Sequence, residues 1–167
     1  MSTKPSAFTA RFKDVKTRFD RDPSRDAALI CKHGFYKNSA VLKLQKAAWT
    51  NDSMDSTPNK TGIFFSVWID DESAKRQRVN YNIHAFKLRD LKRWKLTSRR
   101  FADAFRAYFS KARREWPNVS VDYGPLTLMQ GWIALDPVRL EDDALGLLER
   151  FARLSPVIDR LLETESA

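Results

Sequence analysis

The residues best placed to do chemistry lie in two neighbouring runs, Ile63–Asp70 and Val79–Leu88. Both alternate with period two, as half-buried strands do. The short charged link Asp71–Gln77 joins them as an antiparallel hairpin. Pairing Asp70 with Arg78 sets Ile63, Phe65, Val67 and Ile69 against Ala85, Ile83, Tyr81 and Val79 on one wholly apolar face. The other face then carries Phe64, Ser66, Trp68, Asn80, Asn82 and His84. A slip of one residue would destroy both faces at once, so the register is strongly specified. Aromatic rings on that second face offer stacking area, and the amides, hydroxyl and imidazole offer orientation, which together make a small-ligand pocket. Lys43 and Gln45, on the polar side of the preceding strand, can join it. The same residues also describe an ordinary solvent-facing sheet surface with cross-strand pairs.

A second set is cationic. The chain of 167 residues has net charge +9, and residues 86–114 alone carry 11 basic and 2 acidic side chains. On a helical wheel of 99–116, Phe101, Phe105, Tyr108, Phe109, Ala112 and Trp116 share one side. Arg99, Arg100, Arg106, Lys111, Arg113 and Arg114 cover the other. Lys92 and Arg93 precede this helix, and Arg76 and Arg78 lie at the hairpin tip. Such a surface holds phosphates, so the partner it implies is nucleic acid or another polyanion. A solvated face that keeps the protein soluble has the same composition. Residues 117–167 are acidic, with 4 basic against 9 acidic groups. The resulting charge dipole also allows self-association as a homodimer.

Other chemistries lack their residues. Cys31 is the single cysteine and sits beside Leu29 and Ile30, as a buried apolar residue does. Asp70, Asp71 and Glu72 cluster, but beside Lys75, Arg76 and Arg78 they read as a charge-balanced turn. His84 has no carboxylate neighbour in this register, and His33 beside Gly34 reads as a helix C-terminal residue. No catalytic residue, metal or cofactor is assigned, and a binding role is favoured over an enzymatic one. No run approaches the ~18 apolar residues of a membrane span, and no signal peptide opens the chain, so a cytoplasmic protein without a membrane partner is expected.

The elements that must position these residues follow in order. Phe8, Phe12, Val15 and Phe19 mark a first helix. Asp22-Pro23 reads as the start of a second, through Ala27–Lys32, ending at Gly34. Phe35–Lys37 and Val41–Ala47 read as strands around Asn38-Ser39, and 50–62 as a polar loop. After the hairpin comes a helix capped by Thr97 or Ser98 and ended by Pro117. A second hairpin follows, Val119–Tyr123 and Leu126–Leu135. Two C-terminal helices are divided at Ser155-Pro156, and the tail 164–167 is frayed. The order ααββββαββαα describes one α+β domain over 1–167, with a mainly antiparallel sheet of 5–6 strands and helices packed on one face.

The stretch His33–Trp49, followed by Gly62–Asp70, resembles an uncharacterised bacterial α+β family of unknown function. Members share an opening helix, a Gly-Phe turn, a strand ending in Gln-Lys and then Trp, and an apolar strand. The resemblance spans about residues 20–90 and departs after that. It implies a helix-plus-antiparallel-sheet fold and a bacterial source, and it carries no activity.

Overall fold

The computed structural model describes residues 4–54 and 59–166. Its frame is one sheet of five strands in chain order: β1 (Leu29–Tyr36), β2 (Ser39–Lys46), β3 (Gly62–Ile69), β4 (Arg78–Phe86) and β5 (Thr127–Ala134). Every neighbouring pair is antiparallel. The helices are α1 (Thr9–Asp20), α2 (Asp71–Lys75), α3 (Ser98–Ala112) and α4 (Leu140–Glu165). The fold is therefore α+β. No described helix is long and apolar enough to cross a membrane.

The core lies between the helices and one face of the sheet. Leu42, Leu44, Ile63, Phe65, Val67, Tyr81 and Ile83 from the strands are buried with Phe12, Phe101, Phe105 and Phe151 from the helices. The β3–β4 register is the one the alternation predicts: Ile63 faces Ala85, Ser66 faces Asn82 and Trp68 faces Asn80. The link between them is more than a turn. Asp70 accepts from Ser73 N–H at 2.8 Å while Ser73 Oγ accepts from Asp70 N–H at 2.8 Å, a reciprocal cap that starts α2. The three acids are thereby occupied, since Asp71 accepts from Asn38 and Glu72 pairs with Arg76 at 3.0 Å.

Four expectations need correction. The segment expected as a second helix is strand β1. Leu29 and Cys31 face the core, Ile30 and Lys32 face away, and Cys31 pairs with Leu44 of β2. Asp22 caps no helix; it accepts from the N–H and the hydroxyl of Ser24 at 2.9 and 2.7 Å, an Asx turn. His33 consequently lies in a strand, opposite Leu42. The β1–β2 turn is Lys37-Asn38, both with positive φ (46° and 59°), as a two-residue turn of type I′ requires.

The second correction concerns Val119–Tyr123, which forms no strand. It touches the sheet through a single bridge, Ser120 to Gln130, so the sheet has five strands. Third, the two C-terminal helices are one of 26 residues, with Pro156 inside it. Its buried stripe runs unbroken from Leu140 through Leu148, Phe151, Leu154 and Ile158 to Leu162. Burial of that stripe outweighs the hydrogen bond that proline deletes. Fourth, Thr164 and Glu165 are helical rather than frayed, because α4 holds through Glu165; Ala167 lies outside the described residues. Thr97 does cap α3, its hydroxyl accepting from Arg100 N–H at 3.1 Å.

Candidate functional site

Among the described residues, no helix covers the sheet's other face. That face lines a cavity of about 550 Å³ whose walls come from β1, β2, β3 and β4 and from Met54 and Asn59. Five of the six residues expected on the polar hairpin face line it: Phe64, Ser66, Trp68, Asn82 and His84. Asn80 does not; it lies opposite Trp132, toward β5.

The register explains the arrangement. Lys32, Lys43, Ser66, Asn82 and Gln130 stand in one row across all five strands. Apolar groups flank that polar row on both sides. Phe64, His84 and Phe86 cluster on one, with centroids 5.0 Å apart for Phe64–His84 and 4.7 Å for His84–Phe86. Val41 and Trp68 stand opposite each other on the other. Gln45, expected to join the site, is fully buried and braces it, donating to Ile63 C=O at 2.9 Å.

Met54 and Asn59 supply a further part of the wall. Asp52 accepts from the N–H groups of Lys60 (2.7 Å) and Thr61 (3.1 Å), which draws the two ends of the loop together. Burial alone would raise the Asp52 pKa, but these bonds hold it below the usual carboxylate range. Met54 and Asn59 then reach the cavity, and Asn59 accepts from Lys43 Nζ at 2.9 Å.

Asn82 is the centre of the row and is only 2% exposed. Its Nδ2 donates to His84 Nε2 at 3.0 Å and to Gln130 Oε1 at 3.4 Å. Its Oδ1 is buried and has no hydrogen-bond partner. An accepting Nε2 requires a neutral imidazole with its proton on Nδ1. Burial favours that form and pushes the His84 pKa below its ordinary value, against the opposing effect of the nearby Leu126 carbonyl. That carbonyl accepts from Ala85 N–H at 2.9 Å, where the β4–β5 register slips by one residue beside His84. His33 stands on the helix-covered face, opposite Leu42, with its pKa lowered by burial and by Lys16 and Lys13.

The cationic set is spread rather than gathered. Arg76 and Arg78 sit at one end of β4, and Lys92 and Arg93 lie beyond the other end, about 30 Å away at ~3.3 Å per residue. Arg78 stacks 3.8 Å over Trp132, and Arg93 lies 5.4 Å from the Trp94 ring. Arg106 donates to the carbonyls of Tyr123, Gly124, Thr127 and Leu128, fastening the approach to β5 onto α3. Arg100 pairs with Glu165 at 3.3 Å, and Arg113 donates to Val119 C=O at 3.3 Å. Arg99 and Arg114 are exposed on the outer side of the helix region.

Sequence reasoning missed Lys32, Tyr36, Phe86, Met54 and Asn59 as wall residues. The Gln-Lys…Trp stretch has a structural role of its own. Lys46 Nζ pairs with Asp159 at 2.7 Å and Asp26 at 2.8 Å, and the Trp49 indole donates to Asp159 at 2.7 Å, so the end of β2 is bolted to α4. Among the described residues no group of three or more His, Cys, Asp or Glu could hold a metal ion. Comparison with protein-family models, curated proteins and solved structures found no match to the chain.

Proposed function

We propose that this chain is a ligand-binding protein whose small-molecule site is the open sheet face around Phe64, Trp68, Asn82 and His84. The observation that carries the reading is Asn82 Oδ1, a buried acceptor without a partner on the wall of a cavity of about 550 Å³. Leaving such an acceptor unmet costs about 1–3 kcal/mol, which a ligand donor recovers. The volume falls within the roughly 300–1,000 Å³ of small-molecule sites, and mostly apolar walls with a few convergent polar groups are their usual make-up. His84 bonds to an amide rather than a carboxylate, which supports binding over turnover. A polyanion surface along α3 ranks behind, because Arg78, Arg100, Arg106 and Arg113 are already committed to a ring, a carboxylate or carbonyls.

A thermal-shift screen of a small-molecule library tests this. A ligand at a hundred times its Kd adds about 2.7 kcal/mol, or roughly 5–11 °C for a chain of this size. Trp68→Ala and Phe64→Ala should abolish the shift. The proposal fails if no compound moves the melting point, or if hits act equally on both variants.

A further inference from the structure

The open face has a definite shape. Phe64, Ser66 and Trp68 are alternate residues of β3, and all three line the cavity. Phe64 and Trp68 therefore stand about 13 Å apart, at ~3.3 Å per residue, with the short Ser66 side chain between them. The Phe64 ring is backed by those of His84 at 5.0 Å and Phe86 at 5.5 Å, and Trp68 is flanked by Val41 of β2. The result is a trough along β3 with aromatic rings at both ends and serine at its middle. Asn82 stands beside that middle, opposite Ser66 on β4. Two buried polar atoms on this face lack a hydrogen bond among the described residues, Nδ1 of His84 and Oδ1 of Asn82. The first has the Leu126 carbonyl nearby and the second has no donor. The unmet demand is thus for an N–H or O–H at the middle of the trough.

The charges on this face are already met. Lys43 Nζ donates to Asn59 Oδ1 at 2.9 Å, Lys32 is engaged as well, and Lys37 lies over the Tyr36 ring at 5.5 Å. No aspartate or glutamate lines the cavity among the described residues. An anion finds no idle ammonium group here, and a cation finds no carboxylate. Resting on the ligand-binding reading above, we infer that the ligand is an uncharged, elongated planar aromatic whose hydrogen-bond donor lies midway along its length. Its two ends lie against Phe64 and Trp68, its centre passes over Ser66, and its N–H or O–H points sideways to Asn82 Oδ1. An N–H heterocycle joined to a second ring meets all of these demands.

A matched pair of uncharged fluorescent probes tests the donor separately from the trough. One is the phenylindole substituted on the carbon beside nitrogen, so that its N–H lies mid-length. The other is the corresponding phenylbenzofuran, which has the same outline with an ether oxygen in place of the N–H. Fluorescence titration of the folded full chain should show the phenylindole binding roughly tenfold tighter, the factor that each 1.4 kcal/mol represents. Asn82→Leu should bring the two probes level and leave the phenylbenzofuran affinity in place. Ser66→Leu should fill the trough and remove both, with circular dichroism confirming each fold. Equal binding of the two probes by the parent chain, a result that needs no variant, overturns the inference, and so does a preference that survives Asn82→Leu. The pocket itself stands in either case if Trp68→Ala weakens both probes. If neither probe binds in a manner sensitive to Trp68→Ala, the pocket reading falls with the inference.

Discussion

Gly131→Ala should destabilise the protein by about 2–4 kcal/mol, and the reason lies directly behind the site. Gly131 of β5 stands opposite Tyr81 of β4, with the tyrosine ring lying over it. A Cβ at 131 would sit 2.6 Å from Tyr81 Cζ, closer still to the hydroxyl, and 3.0 Å from Pro117 O. The ring has nowhere to go. It is fully buried, it packs 5.6 Å from Trp116 and 6.3 Å from Phe151, and its hydroxyl donates to Pro117 C=O at 2.6 Å. Overpacking of this kind costs about 1–3 kcal/mol. Displacing the hydroxyl orphans a carbonyl at about 1–3 kcal/mol more. The backbone entropy recovered on replacing glycine offsets roughly 0.5–1 kcal/mol. At roughly 2–4 °C per kcal/mol for a chain of this size, the melting point should fall about 5–15 °C. Calorimetry of Gly131→Ala in the native background and in a Tyr81→Leu background isolates the contact. In the second background most of the penalty should vanish, because the ring tip is gone. An equal penalty in both, or none in the first, refutes the account. The consequence for function is that this wedge fixes the pairing one step from Asn82 and Gln130.

Two further outcomes follow from charge. Both histidines have pKa values lowered chiefly by burial, so each is more readily protonated in the unfolded chain. Their contribution to stability is whole above about pH 6.5, the ordinary histidine value, and is lost as pH falls toward their folded-state values. Urea titrations at pH 7 and 5 should show this decline, and His84→Gln should remove a share of it; an unchanged slope would place the pH dependence elsewhere. Asp159→Ala removes the partner of both Lys46 and Trp49. Because Asp159 is 42% exposed and Asp26 remains, the cost should be about 1–2 kcal/mol rather than the ~3–5 of a fully buried pair. A midpoint in urea equal to that of the parent would show that the clamp contributes nothing.

The part of the fold legible in the sequence is the part where two constraints coincide. In β3 and β4 each strand sorts its apolar residues alternately and one register satisfies both, so the pairing and five of the cavity residues could be read directly. In β1 the outward positions are Ile30, Lys32, Gly34 and Tyr36, only one of them charged, and the last three line a cavity rather than face bulk water. That blurs the alternation, and Gly34 looks like a helix stop. The same blurring hid Lys32 and Tyr36 from the site. Met54 and Asn59 were hidden for a different reason: a loop's contact with a distant strand has no period to betray it. Pro156 carries a local helix-break signal, but the apolar stripe of α4 spans the proline and decides the outcome.

The composition of β1 bears on the proposed ligand site as well. An antiparallel sheet covered on one side by helices ordinarily turns polar side chains to water on the other. Here the uncovered side carries Phe64, Trp68, Phe86 and Val41, with Phe64 only 8% exposed. Keeping that much ring surface beside a desolvated amide works against stability unless something occupies the space. Met54 and Asn59 close part of that face, beside a cavity of about 550 Å³. The residues that break the usual polar pattern of an exposed sheet are the residues that line that cavity. This coincidence, more than any single side chain, supports the proposal of a ligand site on this face of the sheet.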